Sequence, residues 1–142
     1  MSEKVLEALR IAAEAHEEQR DKGGSPYILH PIRVADMVET EDEKILALLH
    51  DTVEDAGISL DYIRSIYGDE IADALDHMSH RDGESYTDYI GRVMENPLSA
   101  RVKLADLRDN MDLSRLDGIT EKDLKREKKY ADAMYRIAIA AR

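Results

Sequence analysis

Four residues that can bind a metal ion or transfer protons follow a single apolar run. After Ile45–Leu49 the chain reads HDTVED, which contains His50, Asp51, Glu54 and Asp55. On a helix, residues four apart lie on the same face, one turn apart. His50 and Asp51 could therefore bind a metal ion, with Glu54 and Asp55 one turn further as a base and a proton carrier. The alternative is a solvated helix face, although acids at a helix C-terminus oppose the helix dipole.

Two further residues could complete a metal site. His30 lies in the apolar stretch YILHPI, so it is either a core histidine with a satisfied hydrogen bond or a ligand. Asp106 lies in an apolar stripe, where an ionised carboxylate is costly unless it is paired or bound to a metal ion. The alternative for Asp106 is a buried ion pair with a lysine or arginine. Of the other histidines, we expect His16 to pack in the first helix or support the site, and His80 to lie in a solvated loop.

Together these residues predict a site for a divalent transition metal. The predicted ligands are His30, His50, Asp51 and Asp106, and because the sequence contains no cysteine, thiolate ligands are excluded. Mixed nitrogen and oxygen ligands suit Mn²⁺, Fe²⁺ or Co²⁺, and Zn²⁺ less clearly. Four protein ligands leave positions for water and substrate on an octahedral ion. Such an ion makes hydroxide accessible near neutral pH and polarises a phosphoryl group, which predicts a phosphohydrolase.

The elements that must position these residues are predicted to be helices. Apolar residues recur at spacings of three and four almost throughout, and no segment alternates as a strand does. Segments 21–26 and 80–84 predict loops. Six predicted helices are Ser2–Gln19, Pro31–Val38, Asp42–Asp55, Ser59–Tyr67, Asp69–Met78 and Ser99–Leu113. A seventh begins at Ser85 or Thr87 and ends at Glu95, and Thr120 caps the last helix. The predicted fold class is all-α, a single domain of about seven or eight helices.

The composition is that of a globular protein without a broad nucleic-acid-binding surface. Hydrophobic residues make up 43% and charged residues 36%, and 142 residues predict one domain. The net charge of −11 argues against nucleic-acid binding, whereas a small phosphorylated substrate is compatible with it because a bound cation reverses the local potential. The sequence shows no signal-peptide core and no membrane-spanning run, so we expect a cytoplasmic protein without a membrane partner. The sequence leaves the oligomeric state open.

Five motifs, in order along the chain, carry a resemblance to a known family. They read AHEEQ at 15–19, GSPYILHPIRVA at 24–35, LLHDTVED at 48–55, VKLAD at 102–106 and DNM at 109–111. This set resembles the HD-domain hydrolases of the RelA/SpoT alarmone family, especially the small stand-alone hydrolases. The resemblance implies an all-α HD-domain bundle over residues 1–142 and a Mn²⁺-dependent phosphohydrolase. Members of the family remove pyrophosphate from the 3′ position of guanosine tetra- or pentaphosphate.

The resemblance also implies roles for individual residues. The implied metal ligands are the two histidines and two aspartates named above. Glu54 and Asp55 would position and activate the attacking water. Asn110 would contact the ribose, and Lys22 would contact the base or the phosphates.

Three departures from the family pattern concern the nucleotide-binding side. Asp21 stands where the family usually carries an arginine that stacks on the guanine, and Leu113 stands where it carries a threonine. After Asp106 the chain reads LRDN, where the family commonly has an arginine first. A second interpretation therefore keeps the metal site but changes the substrate, as in a nucleotide phosphatase or phosphodiesterase. A third is a non-catalytic regulatory domain that binds a metal ion or nucleotide, against which the presence of Glu54 and Asp55 argues.

Overall fold

Residues 2–141, which the computed structural model describes, form helices joined by short connections. The α-helices are α1 (Glu3–Ala15), α2 (Leu29–Asp36), α3 (Glu41–Leu49), α4 (Thr52–Ala56), α5 (Leu60–Tyr67), α6 (Asp69–Met78), α7 (Tyr86–Met94), α8 (Pro97–Asn110) and α9 (Glu121–Ala140). A 3₁₀ helix at Leu113–Arg115 precedes α9. The predicted all-α fold is confirmed. None of the helices within residues 2–141 combines the length and the apolar character needed to cross a membrane.

Polar side chains begin several of these helices where the sequence predicts them. Ser59 accepts a hydrogen bond from a first-turn backbone N–H of α5. Thr120 forms a capping box with Asp123 at the start of α9. Of the two candidates for the start of α7, Ser85 is the residue that caps it. Gly57 ends α4 with a φ of 70°, a conformation that favours glycine at a helix C-terminus.

The predicted helix Asp42–Asp55 is wrong in one respect, because this segment forms two helices. α3 ends at Leu49, α4 begins at Thr52, and Asp51 between them has φ −103° and ψ −1°. The Thr52 hydroxyl donates to the Leu49 carbonyl oxygen at 2.8 Å, so a side chain competes for a carbonyl that a continuous helix bonds to a backbone N–H. The break places His50 and Asp51 between two helices. It also raises the number of α-helices within residues 2–141 to nine.

Other predicted boundaries differ by a few residues. α1 ends at Ala15 instead of Gln19, and α8 covers Pro97–Asn110 instead of Ser99–Leu113. α2 begins two residues before Pro31, which is therefore its third residue rather than its first. The first turn tolerates proline because its N–H groups have no intrahelical partners.

α3 is the central helix of the main core. α1, α2, α6 and α8 pack around it, and its buried apolar residues are Ile45, Leu46, Ala47, Leu48 and Leu49. α8 also packs against α7 and α9 through a second apolar cluster that includes Leu107 and Ile137. Because α8 takes part in both clusters, apolar burial on two sides fixes its position and that of Asp106.

Candidate active site

Four side chains from three parts of the chain converge in the interior. His30 lies in the first turn of α2, Asp106 lies in α8, and His50 and Asp51 lie between α3 and α4. Asp106 Oδ1 is 2.8 Å from His30 Nε2 and 3.0 Å from His50 Nε2. Asp51 Oδ2 is 3.0 Å from His50 Nε2 and 3.9 Å from His30 Nε2. The structure thus brings together all four residues that the sequence predicts as metal ligands.

Hydrogen bonds on the far side of each imidazole decide which ring nitrogen faces this cluster. His30 Nδ1 lies 2.6 Å from Asp109 Oδ2, and His50 Nδ1 lies 2.5 Å from the Ala47 carbonyl oxygen. An ionised carboxylate and a carbonyl oxygen only accept hydrogen bonds, so each Nδ1 carries a hydrogen. In a neutral ring, each Nε2 then presents a lone pair to carboxylate oxygens, which are also acceptors.

This arrangement fits a divalent cation at the centre of the cluster. Acceptors that face one another in a buried site need a positive charge between them. Ligand atoms of His30, His50 and Asp106 all lie within 4.8 Å of one another, close enough to share one ion. Imidazole nitrogen and carboxylate oxygen form a donor set for Mn²⁺, Fe²⁺ or Co²⁺. An acceptor on the other ring nitrogen is the usual support of a metal-binding histidine.

Local charges also favour a cation at this point. Burial opposes the charged imidazole of His30, but its hydrogen bonds with Asp106 and Asp109 outweigh burial and raise the pKa of the ring. Burial opposes the charged ring of His50 as well, but the charges of Asp51 and Asp106 raise its pKa well above the usual value. The carboxylates around the two rings therefore attract positive charge, whether it is a proton or a metal ion.

Asp106 also forms the buried ion pair that was its alternative interpretation. Lys103 Nζ donates to Asp106 Oδ2 at 2.8 Å and lies 5.0 Å from the centre of the Tyr89 ring. Burial disfavours the carboxylate, but the charge of Lys103, followed by the two histidines, holds the pKa of Asp106 well below its usual value. Both arrangements occur together, because Oδ1 faces the histidines and Oδ2 faces the lysine.

Asp109 supports the cluster, although the sequence analysis assigned it no role. It accepts a hydrogen bond from His30 and two from Arg33, whose Nε and Nη2 lie 2.8 and 3.1 Å from its oxygens. Burial disfavours the carboxylate, but the hydrogen bonds from His30 and Arg33 lower the pKa of Asp109 to about 2. Its spacing is the signal that could have identified it, because it lies three residues after Asp106 and so on the same side of α8.

The two predicted catalytic acids lie on α4, shortly after Asp51. Glu54 accepts a hydrogen bond from the backbone N–H of His80, and the carbonyl oxygen of Asp55 accepts one from Gln19 at 3.2 Å. Burial raises the pKa of the Glu54 carboxyl and that of the Asp55 carboxyl. Both acids line a cleft of about 660 Å³ whose other wall is the loop between α6 and α7.

The loop between α6 and α7 is held in place by Arg92. The guanidinium forms two hydrogen bonds of 2.7 Å with the Glu84 carboxylate. It also donates to two main-chain carbonyl oxygens around the end of α6, at 3.0 and 2.7 Å. His80 is exposed, as the solvated-loop interpretation predicts, but its backbone N–H contacts Glu54. The loop therefore contacts one of the two predicted catalytic acids through a main-chain group, in a cleft whose lining does not include the four predicted metal ligands.

A second cleft, of about 270 Å³, opens beside His30. Its charged lining is balanced: the basic residues are Arg20, Lys22, Arg33, Arg115 and Arg126, and the acidic ones are Asp21, Asp109, Asp112, Asp123 and Glu127. Asn110 lines it too, and its Nδ2 donates to Asp106 Oδ1 at 3.2 Å. The two residues implied to bind the nucleotide, Lys22 and Asn110, therefore lie at one cleft next to the histidine–aspartate cluster.

Asp21 lines the same cleft but bonds to its own loop. Its Oδ1 accepts a hydrogen bond from the Ser25 backbone N–H at 2.9 Å. The loop packs tightly against the chain before α9, since a Cβ at Gly23 would lie only 2.7 Å from the Arg115 carbonyl oxygen. Glycine is therefore required at that position. Leu113, the other departure, also lines the cleft.

The chain is similar to proteins of one family over most of its length. A family model described as HD domain matches residues 8–141. A guanosine-3′,5′-bis(diphosphate) 3′-pyrophosphohydrolase of Aquifex aeolicus is 31% identical over 122 residues, which cover 78% of this chain and 18% of that protein. A Danio rerio protein whose name states the same activity is 42% identical over 76 residues, covering 48% of this chain and 42% of that protein. The chain thus spans less than half the length of these two relatives.

One solved structure has a similar fold. It is described as a metazoan ortholog of SpoT that hydrolyzes ppGpp, and it superposes with a TM-score of 0.78 at 24% identity. The similarity covers 96% of this chain and 86% of that one. The relatives carry in their names the activity that the resemblance of the five motifs implied.

Proposed function

This chain belongs to the HD domain family, and we propose that it is a metal-dependent phosphohydrolase. The proposed reaction removes pyrophosphate from the 3′ position of guanosine 3′,5′-bis(diphosphate). One observation carries the proposal: two imidazole lone pairs and two aspartate carboxylates converge on a buried point that favours a cation. The names of the relatives support the choice of substrate. We propose a single functional domain over residues 1–142, with the cytoplasm as its place of action.

The metal-binding role is proposed for His30, His50, Asp51 and Asp106, with Mn²⁺ as the ion. Mixed nitrogen and oxygen donors suit Mn²⁺, with Fe²⁺ and Co²⁺ as alternatives. When bound, the ion supplies hydroxide near neutral pH and polarises the phosphoryl group. The acceptors behind the two rings keep each Nε2 directed at the centre of the cluster, so the ligands are ordered before the ion arrives.

Glu54 and Asp55 are proposed to orient the attacking water and to carry its proton. Both side chains are exposed, but the partial desolvation at the cleft wall raises the pKa of each carboxyl, which makes the carboxylate a stronger base than a fully solvated one. The backbone N–H of His80 donates to Glu54 and favours its ionised form, which a base requires. This contact supports Glu54 as the base and leaves Asp55 as the proton carrier.

The nucleotide is proposed to bind in the cleft beside His30. Five basic side chains line it and are the proposed contacts for the phosphates, although five acidic side chains line the same cleft. Arg33, Arg115 and Arg126 are paired with three of these acids, so a phosphate would have to compete with carboxylates for them. Lys22 would contact the base or a phosphate. Asn110 would contact the ribose, and its amide is already held by a hydrogen bond to Asp106.

A second candidate is the same hydrolysis with another phosphorylated nucleotide. The Asp21 carboxylate bonds to its own loop and cannot stack on a base as an arginine does. Leu113 offers no hydroxyl to the cleft. Both residues change the base and phosphate contacts and leave the metal-binding cluster as it is.

A panel of phosphorylated nucleotides tests both candidates. The Mn²⁺-loaded protein is given guanosine 3′,5′-bis(diphosphate) and a range of other nucleotides, and the release of pyrophosphate and phosphate is measured. We expect the fastest turnover with guanosine 3′,5′-bis(diphosphate). Faster turnover of another nucleotide would select the second candidate, and no release from any of them would contradict both. Glu70→Gln, on an exposed position of α6, is a control that should match the wild type.

A further inference from the structure

Two residues of the AHEEQ motif, His16 and Gln19, connect the end of α1 to α4. His16 is the C-cap residue that follows α1, and its side chain is buried. His16 Nδ1 lies 2.5 Å from Gln19 Oε1, and Gln19 Nε2 donates to the Asp55 carbonyl oxygen at 3.2 Å. The proposed mechanism uses Asp55 but gives neither His16 nor Gln19 a role.

The chemistry of the three groups fixes the direction of both hydrogen bonds. The Asp55 carbonyl oxygen can only accept, so the amide nitrogen of Gln19 must face it. The amide oxygen therefore faces His16. Because that oxygen also only accepts, His16 Nδ1 must carry the hydrogen. Donation runs one way, from the imidazole through the amide to the carbonyl of Asp55.

The other nitrogen of the His16 ring is buried and has no partner among residues 2–141. The ring packs 5.0 Å from the ring of Tyr27, whose hydroxyl donates to Asp51. A buried polar atom without a partner is costly, and an apolar side chain would pack there without that cost. The hydrogen bond from Nδ1 to Gln19 is therefore the interaction of His16 that an apolar side chain could not replace.

α4 needs such support because it is short. Its five residues, Thr52–Ala56, are fewer than an isolated helix needs to form in water. It follows the break at Asp51 and ends at Gly57, so no helix continues it on either side. The amide of Gln19 reaches the Asp55 carbonyl in the last turn, where carbonyl groups lack partners within the helix. The main chain of Asp55 is thereby tied to the end of α1.

We infer that His16 and Gln19 are positioning residues that fix Asp55 relative to the metal-binding cluster. The inference rests on the proposed function, because the effect of the pair is on the step that Asp55 assists. The pair acts through the main chain of Asp55 and not through a contact with the nucleotide. Its loss should slow turnover while substrate and metal binding persist.

Gln19→Glu removes the donor to Asp55 with almost no change in shape. The new carboxylate still accepts from His16 Nδ1 but repels the Asp55 carbonyl oxygen. We expect kcat to fall by about 10- to 100-fold and KM to stay within about twofold, because a small displacement of a catalytic group costs this much in rate. Metal content should not change. Glu18→Gln, the reverse exchange at an exposed neighbouring position, is the matched control and should leave kcat and KM as in the wild type.

His16→Asn and His16→Gln test which of the two ring nitrogens of His16 is needed. The amide nitrogen of an asparagine takes the position of Nδ1 and can still donate to Gln19, whereas that of a glutamine takes the position of Nε2. We expect His16→Asn to keep kcat within about threefold of the wild type and His16→Gln to lose as much as Gln19→Glu. Equal kcat in the two variants would overturn the inference. A normal kcat per folded molecule in Gln19→Glu, with folding measured by circular dichroism, would overturn it as well.

A measurement without substrate separates failure of this inference from failure of the proposed function. The ¹⁵N resonances of an imidazole report which nitrogen carries the hydrogen. We expect the hydrogen of His16 on Nδ1 in the wild type, and a loss of this preference in Gln19→Leu. Hydrogen on Nε2 in the wild type would overturn the inference whatever the enzyme does. Hydrogen on Nδ1 in a protein without turnover would support the hydrogen-bond geometry and refute the proposed function.

Discussion

Asp106 contacts more side chains of the candidate site than a simple ion pair requires. One of its carboxylate oxygens faces His30 and His50, and the other accepts from the buried ammonium of Lys103. Asn110 adds a hydrogen bond of 3.2 Å to the first oxygen. The carboxylate thus connects the proposed metal ligands to the helix that also carries a proposed nucleotide contact.

Asp106→Asn should abolish metal binding and leave the fold intact. The change removes the charge and almost no volume, and a neutral amide is a poor ligand for a divalent transition metal. Since Lys103 loses its partner, we expect the free energy of unfolding to fall by on the order of 3 kcal/mol. Metal content by mass spectrometry and helicity by circular dichroism measure the two effects, with Asp132→Asn on the exposed side of α9 as control. An unfolded variant beside a wild type that binds no metal would make Asp106 a purely structural residue.

Among individual residues, the sequence predicts those that are ionisable but lie in apolar surroundings. Two histidines and an aspartate in apolar surroundings need a partner or a ligand, so their chemistry is visible in the sequence. Asp109 was missed because an aspartate late in a helix is ordinarily a solvated residue. Its role depends on His30 and Arg33, which lie more than seventy positions earlier in the chain.

Two short elements beside the cluster position the two acids that we propose as catalytic, through contacts that involve the main chain. α4 carries Glu54 and Asp55, and the loop between α6 and α7 donates the N–H of His80 to Glu54. A helical period of 3.6 predicts the acids and ligands on one face of one helix. The structure instead separates them by the break before Thr52, where the Thr52 hydroxyl donates to the Leu49 carbonyl oxygen, a contact that periodicity does not reveal.

Arg92→Met should loosen this loop and slow turnover. The variant keeps an unbranched apolar stem but loses the hydrogen bonds to Glu84 and to the carbonyl groups near the end of α6. Glu54 would then lose a fixed donor, and we expect kcat to fall by about tenfold with KM little changed. Faster hydrogen exchange of the His80 amide would report the loosening directly. Arg101→Met, at an exposed position of α8, is the control, and equal kcat in both variants would contradict a role of the loop.

The ion pair of Glu84 with Arg92 should also appear in the pH dependence of stability. Hydrogen bonds from Arg92 lower the pKa of Glu84 from 4.5 to about 2. A carboxyl whose pKa is lower in the folded chain stabilises the fold above its unfolded pKa, and this contribution is lost as pH falls through the folded pKa. Stability should therefore fall between pH 4.5 and 2 less steeply in Glu84→Gln than in the wild type. Urea unfolding at several pH values measures the slopes, and identical slopes would refute the contribution.

The whole molecule combines a strongly acidic chain with a local site for a cation and a neighbouring cleft of mixed charge. The net charge is −11, whereas the cleft beside His30 has five basic and five acidic side chains in its lining. The cluster itself joins α2, α3, α4 and α8, and so most of the main core. A metal ion bound there would connect elements that are far apart in the sequence, and its binding should therefore stabilise the entire fold.

Added Mn²⁺ should raise the melting temperature of the metal-free protein. A ligand that binds only the folded state stabilises it by about 2.7 kcal/mol at a concentration one hundred times its Kd. Asp106→Asn should show no such rise, since its cluster no longer binds the ion. Differential scanning calorimetry with and without Mn²⁺ measures both proteins. An equal rise in the two would place the binding elsewhere on the acidic surface.

The most direct test of the central claim is a comparison of wild type and Glu54→Gln in one assay. Both Mn²⁺-loaded proteins are given guanosine 3′,5′-bis(diphosphate), and GDP, pyrophosphate and bound metal are measured in the same samples. We predict that the wild type releases GDP and pyrophosphate in equal amounts, and that Glu54→Gln binds the same amount of metal but releases neither. Equal turnover in the two proteins would contradict the assignment of Glu54 as the base, and metal binding without any turnover of the nucleotide in the wild type would contradict the proposed reaction.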